Sequence, residues 1–287
     1  MHWFFLALGA AFGMATADFL LKRRLSHRPA GEMAMARVFS VVPLSLILLV
    51  GMRPPEIKPG FYLAVGLALP AEVAATFLYH RAIKRSPLGL AQPFLAFTPF
   101  FAVLTGLFFL GEIPTPWGMA GIGLLVAGAY GLNLEQARPG WRQPFLAVTR
   151  EPGSWMMLAV SAIYAYTAVL GRKAVLASSP LFMLAVYPPL HCLALGVVMG
   201  ATRRLRWDWM KEFRILLGLG LAMSGMALCH FLALELVQTA YMISVKRLSI
   251  LFATIYGGLF LREERLFQHL SAAGVMVAGA AVMLILG

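Results

Sequence analysis

Apolar runs of about twenty residues follow one another along nearly the whole chain, with very little polar sequence between them. They cover approximately 3–21, 33–51, 60–80, 88–110, 116–134, 154–172, 181–200, 213–235, 238–260 and 267–286. The breaks are marked by Arg53-Pro54-Pro55, Ser86-Pro87, Pro114-Thr115-Pro116, Arg138-Pro139-Gly140 and Ser178-Ser179-Pro180. A helix needs about 20 predominantly apolar residues to cross the hydrocarbon core of a bilayer. Inside that core, every backbone polar group must be satisfied within the protein. Ten such runs in 287 residues leave no room for a soluble domain. The expected fold is an all-α membrane protein of ten transmembrane helices, embedded in the lipid bilayer as one body.

Charge sets the orientation. Only 13% of residues are charged, about half the share of a soluble domain. The formal net charge is nevertheless +12. Seventeen Lys and Arg residues fall on one side: Lys22, Arg23, Arg24, Arg28, Arg81, Lys84, Arg85, Arg138, Arg142, Arg150, Arg203, Arg204, Arg206, Lys211, Arg214, Arg262 and Arg265. Four fall on the other: Arg53, Lys58, Arg172 and Lys173. The positive-inside rule then puts both termini outside the cytoplasm. The excess base is explained by topology and anionic lipid headgroups, so no nucleic-acid partner is expected. Compact loops suggest the plasma membrane of a bacterium. Met1-His2 supplies no basic stretch ahead of the first apolar run, so that run does not read as a cleaved signal. Cys192 and Cys229 lie in apolar stretches and read as small buried residues.

The two halves superpose at an offset of 151 residues. Lys22 falls on Lys173, Glu112 on Glu263, Gly106 on Gly257, Gly123 on Gly274, and Ala127-Gly128-Ala129 on Ala278-Gly279-Ala280. Phe101-Ala102 and Phe109-Leu110 likewise fall on Phe252-Ala253 and Phe260-Leu261. The expected organisation is a first five-helix repeat over 1–137, a connecting loop over 138–153, and a second repeat over 154–287. Five helices per repeat is an odd number, so the second copy must be inverted in the membrane. Inverted repeats characterise secondary transporters, which bind substrate near the midplane and alternate access by rocking.

The segments Phe108-Phe109-Leu110-Gly111-Glu112 and Leu259-Phe260-Leu261-Arg262-Glu263 each close a helix, and each is followed by a Gly-rich one. They resemble the two signature segments of the drug/metabolite transporter superfamily (EamA-like). That resemblance implies a five-plus-five helix carrier with a central cavity for a small-molecule substrate. It leaves the substrate open among amino acids, nucleotides, sugar phosphates and drugs.

Lys246-Arg247 is the most informative dipeptide. It lies about 12–13 Å into the ninth run at 1.5 Å per residue, near the centre of a core about 30 Å thick. A Lys or Arg there costs roughly 2.5–3.5 kcal/mol on insertion, so a cavity, an anion or a carboxylate must compensate. Helical spacing gathers Lys246, Ser249 and Tyr256 on one face, with Thr239 earlier. The tandem pair also resembles that of plastid phosphate translocators in the same superfamily, where it contacts the substrate phosphate. This implies Lys246 as a point charge and Arg247 as a planar fork. The equivalent first-half positions, Leu95 and Ala96, depart from it. The alternative is an ion pair with a buried carboxylate.

Glu72, at a similar depth of about 16 Å in the third run, is the expected partner of Lys246. It would neutralise the empty site and take up a proton when an anion arrives, or else hold two helices together statically. Thr76 and Tyr79 continue its face. His191 and His230 are further proton-coupling candidates, although such histidines more often bond a neighbour. Asp18 is spaced for a local pair with Lys22. Arg37 either snorkels or lines an inner vestibule. Tyr164, Tyr166, Tyr187 and Tyr241 suit cavity walls or packing. Gly118, Gly121, Gly123, Gly128, Gly274 and Gly279 read as close-packing positions of the fifth and tenth helices, with Gly123 and Gly274 in register. A homodimer through these faces is left open.

The substrate class favoured by the paired cations is a phosphate- or carboxylate-bearing metabolite. Efflux of hydrophobic cations would instead need Glu72 unpaired. A lipid-linked substrate would need a lateral opening. The chain has no His-Glu-x-x-His, Walker or Gly-x-Ser-x-Gly motif, so no enzyme, cofactor or metal site is expected.

Overall fold

The computed structural model describes residues 1–85, 92–134, 152–202, 208–261 and 270–287. Arg262-Glu263, Arg265, Ser86-Pro87, the arginines at 138, 142, 150, 203, 204 and 206, and nearly all of the expected loop 138–153 lie outside them. Among the described residues all regular structure is helical. The α-helices are α1 (His2–Leu25), α2 (Ala30–Phe39), α3 (Val42–Gly51), α4 (Phe61–Arg85), α5 (Thr98–Leu110) and α6 (Pro116–Leu134). They continue as α7 (Pro152–Leu176), α8 (Pro180–Ala201), α9 (Phe213–Leu236), α10 (Thr239–Lys246), α11 (Ser249–Leu261) and α12 (Leu270–Leu286). Among the described residues six spans are long and apolar enough to cross a membrane: His2–Leu25, Gly31–Gly51, Phe61–Tyr79, Gly153–Leu176, Pro180–Ala201 and Phe213–Leu236. The protein is a multi-span helical bundle.

Local chemistry sets the helix ends. Ser179 caps α8 by accepting from the Phe182 N–H at 3.2 Å, with Pro180 next in the first turn. Thr115 does the same for α6, accepting from the Gly118 N–H at 3.0 Å ahead of Pro116. Gly111 stops α5. It adopts the left-handed conformation (φ +68°) and donates to the Leu107 carbonyl at 3.1 Å. The Gly-Glu of the first signature segment is therefore a helix stop that turns Glu112 back towards the bundle.

Three of the expected spans are not continuous helices. The run 33–51 is α2 and α3, divided at Ser40-Val41, where Pro43 cannot donate to the Phe39 carbonyl. The run 88–110 has a 3-10 segment, Gln92–Phe97, ahead of α5, with Pro93 and Pro99 flanking the change. The run 238–260 is α10 and α11, joined through Arg247-Leu248 by short-range bonds. These run from Leu248 N to Val245 O at 2.9 Å and from Ile250 N to Arg247 O at 3.0 Å.

Prolines inside a helix free a carbonyl, and one such vacancy is filled across helices. Pro188 cannot donate to Leu184 O, and the wholly buried Ser45 of α3 donates to it at 2.7 Å. The principal helix pairs are α1 with α9, α4 with α7, α5 with α7, α3 with α8 and α6 with α12. In the last pair, a Cβ on Gly121 would sit 2.8 Å from Gly279 O, and one on Gly128 2.8 Å from Ala272 O. The expectation that Gly123 and Gly274 make this packing is corrected: nothing lies within 4 Å of a Cβ at either. The two positions face away from the seam.

Candidate functional site

The change of helix at Arg247-Leu248 positions the paired cations. Lys246 ends α10, where the outward-pointing carbonyls of a helix C-terminus favour a cation. Its Nζ lies 3.4 Å from His230 Nδ1 of α9. Arg247 reaches in another direction. Its Nη2 donates to the Thr98 hydroxyl at the first turn of α5, and that hydroxyl donates in turn to Leu95 O at 2.7 Å. Arg247 Nε is buried and has no hydrogen-bond partner among the described residues.

A second set of polar groups surrounds this pair. Lys246 is within electrostatic reach of Arg247, Arg37, Glu72 and Asp18. Tyr164 of α7 feels Glu72, Tyr79, Arg37 and Arg247. Glu72 also acts on Tyr187 and His191 of α8. Residues from α1, α2, α4, α7, α8, α9 and α10 thus converge on one polar interior. Glu72, Tyr79, Arg37, His191, His230, Lys246 and Arg247 belong to it. Ser249, buried, starts α11 just beyond the pair.

The pairings within this interior differ from the expected ones. Glu72 makes no ion pair with Lys246 or with any other described residue; the two interact at longer range. Asp18 is engaged by Arg37, whose Nη1 donates to Oδ1 at 2.7 Å, so Arg37 is turned inward rather than snorkelling. His191 has a buried Nε2 with no partner among the described residues, and its ring lies 6.2 Å from that of Tyr187.

Two further candidates turn away from the polar interior. Tyr241 is a packing residue: its hydroxyl accepts from the Thr115 N–H at 2.9 Å, and its ring stacks on Trp3 at 6.3 Å. Tyr256 leaves the expected stripe and meets Thr16 of α1, hydroxyl to hydroxyl, at 2.8 Å.

Sequence reasoning missed one buried junction. Glu112 accepts from the Thr239 N–H at 2.9 Å and pairs with Arg172, which also donates to Leu234 O. It ties the α5–α6 turn to α7, to the end of α9 and to the start of α10. By sequence Arg172 reads as a loop cation, because it stands beside Lys173 after an apolar run. The signal available was Glu112 itself, a lone carboxylate directly after an apolar helix and its glycine stop.

Among the described residues no group of three or more His, Cys, Asp and Glu is placed to hold a metal ion. The model of the EamA-like transporter family matches residues 1–134 and again 151–285. No curated protein matches the chain. A solved structure, described only as "Crystal structure of protein", superposes with a TM-score of 0.75 at 18% identity, covering 99% of this chain and 96% of that one. At that identity the likeness speaks for the fold alone. The double family match covers nearly the whole chain, and with the multi-span bundle it makes this a membrane-embedded carrier rather than an enzyme. The chain belongs to the EamA-like transporter family.

Proposed function

We propose that the protein carries a small anionic metabolite, bearing phosphate or carboxylate, across the bacterial plasma membrane by alternating access. Lys246 and Arg247 form the anion site. One observation carries this reading. Of the arginines held inside the bundle, Arg37 has Asp18 and Arg172 has Glu112. Lys246 and Arg247 have no carboxylate within 4 Å among the described residues; their partners are an imidazole and a hydroxyl. Two cations that cost roughly 2.5–3.5 kcal/mol each at mid-membrane are best compensated by an anion that comes and goes. Glu72, at longer range, offsets the charge of the empty site and accepts a proton when the anion binds.

The architecture we infer around this site is ten spans in two inverted five-helix repeats, over 1–137 and 154–287, with both termini outside. Three observations support it. The family match occurs twice, its copies starting 150 residues apart. An offset of 151 residues exchanges the pair α1·α9 with α7·α4 and maps α3·α8 and α6·α12 onto themselves. The helix changes before Thr98 and before Ser249 fall at equivalent positions.

A second reading, efflux of hydrophobic cations, is favoured by Glu72, a carboxylate without an ion pair among the described residues and close to Tyr164 and Tyr187. The deciding experiment is thermal stability of the purified protein against a ligand panel, for wild type and for Lys246→Gln/Arg247→Gln. Ligands that bind the folded state raise the melting temperature. Stabilisation of wild type alone by phosphorylated or carboxylated compounds supports the anion carrier. Stabilisation of both proteins by lipophilic cations alone overturns it and moves the site to Glu72.

A further inference from the structure

Helices α5 and α6 are consecutive, yet they diverge and leave a cleft between them. The cleft has a volume of about 380 Å³ and is lined by residues including Phe97, Phe100, Met119, Gly123, Val126 and Tyr130. That is within the range of small-molecule sites, about 300–1,000 Å³. Nearly every lining atom is apolar. Phe100 is 51% exposed and Met119 46%, so the cleft is open along one side. Its floor is kept low by Gly123 and Ala127, which stand on the face of α6 turned away from α12.

One lining residue relates this cleft to the polar interior. Phe97 lines the cleft, and it packs on the same small apolar core as Tyr79 and Tyr164. The next residue, Thr98, accepts from Arg247. The cleft and the cationic site are thus linked through consecutive residues, Phe97 and Thr98, at the start of α5.

We infer that the substrate is amphipathic, with an apolar tail lying in the α5–α6 cleft while its anionic head is held by Arg247 and Lys246. This rests on the anion-site reading above and adds the chemistry of the other end of the molecule. Phe97 is then the partition past which the tail connects to the head. A buried methylene is worth about 0.8 kcal/mol, so even a few would raise affinity more than tenfold over a head group alone.

The test compares ethyl phosphate with dodecyl phosphate, by equilibrium binding to protein in nanodiscs of one fixed lipid composition. In wild type, dodecyl phosphate binds at least tenfold more tightly than ethyl phosphate. In Gly123→Trp, whose side chain grows into the cleft, that ratio falls towards one. Ala127→Trp, one turn along the same face, is the second variant, and melting temperatures establish that each is folded. A ratio that persists in both folded variants overturns the inference, since the cleft then holds only bilayer lipid. Ethyl phosphate binding to wild type but not to Lys246→Gln/Arg247→Gln, with no dodecyl advantage, also overturns it while leaving the anion site standing. Failure of both phosphates to bind wild type overturns the two together.

Discussion

Arg247 donates to the hydroxyl of Thr98, 149 positions away in the chain. The bond joins the change of helix between α10 and α11 to the first turn of α5, so each half of the molecule holds the other at its own irregular point. Thr98 is wholly buried, and its hydroxyl is used as both donor and acceptor.

Thr98→Val keeps the volume and removes both bonds, leaving the guanidinium with one more unpaired N–H. We expect a loss of about 1.5–3 kcal/mol, the range for a hydrogen bond to a charged group. Thr98→Ser should recover most of it. Unfolding midpoints in mild detergent decide this; a Val variant as stable as wild type would show that the bond contributes nothing.

Glu112 and Arg172 are both largely buried, and removing one partner strands the other. Glu112→Ala should destabilise by about 3–5 kcal/mol, as for a broken buried pair. Glu112→Ala/Arg172→Met should be less damaged than Glu112→Ala alone, because the stranded charge goes with it. A double-mutant cycle measures the coupling, and simple additivity of the two losses would argue against a direct pair.

Gly121 and Gly123 stand two residues apart on α6 and should respond in opposite ways. Gly121→Leu drives a side chain into Gly279 O and Met283. It should cost at least the 1–3 kcal/mol typical of overpacking. Gly123→Leu meets no protein atom within 4 Å of its Cβ and should leave the midpoint nearly unchanged. Equal losses at both positions would mean that Gly123 is packed as closely as Gly121, since helix propensity favours Leu over Gly at either.

Ser45→Ala strips the Leu184 carbonyl of the donor that replaces the one Pro188 cannot supply. An unsatisfied buried acceptor costs about 1–3 kcal/mol. Combining Ser45→Ala with Pro188→Ala, which gives the carbonyl back its own helical donor, should repair most of that loss. If Pro188→Ala makes matters worse in the Ser45→Ala background, the carbonyl is satisfied in some other way.

Helix ends that depend on local chemistry were legible in the chain. The span expected at 116–134 is α6, Pro116–Leu134, because Thr115 and Pro116 announce its start. The divisions within spans were less so. Pro43 and Pro99 could have signalled two of them, but no Pro or Gly marks Arg247-Leu248, where tertiary contacts decide. Depth along a helix axis places Lys246 and Glu72 at similar levels, and the two interact at longer range. It carries no information about rotation around the axis, which is why His230, and not Glu72, is the group beside Lys246. The i,i+4 rule likewise proposed Lys22 for Asp18, whereas packing of α2 on α1 delivers Arg37.

The seam between α6 and α12 limits how the molecule can move. Gly121 and Gly279 bring one backbone against the other, so that a Cβ on Gly279 would lie 2.7 Å from Gly121 O. Two helices in backbone contact have no layer of side chains that could re-pack as they slide past each other. In the carrier proposed above they would behave as a fixed post, with alternation of access falling to the helices on the polar side. The glycines that make the seam tight would then act as the fulcrum of the proposed transport cycle, on helices other than those that carry the proposed anion site.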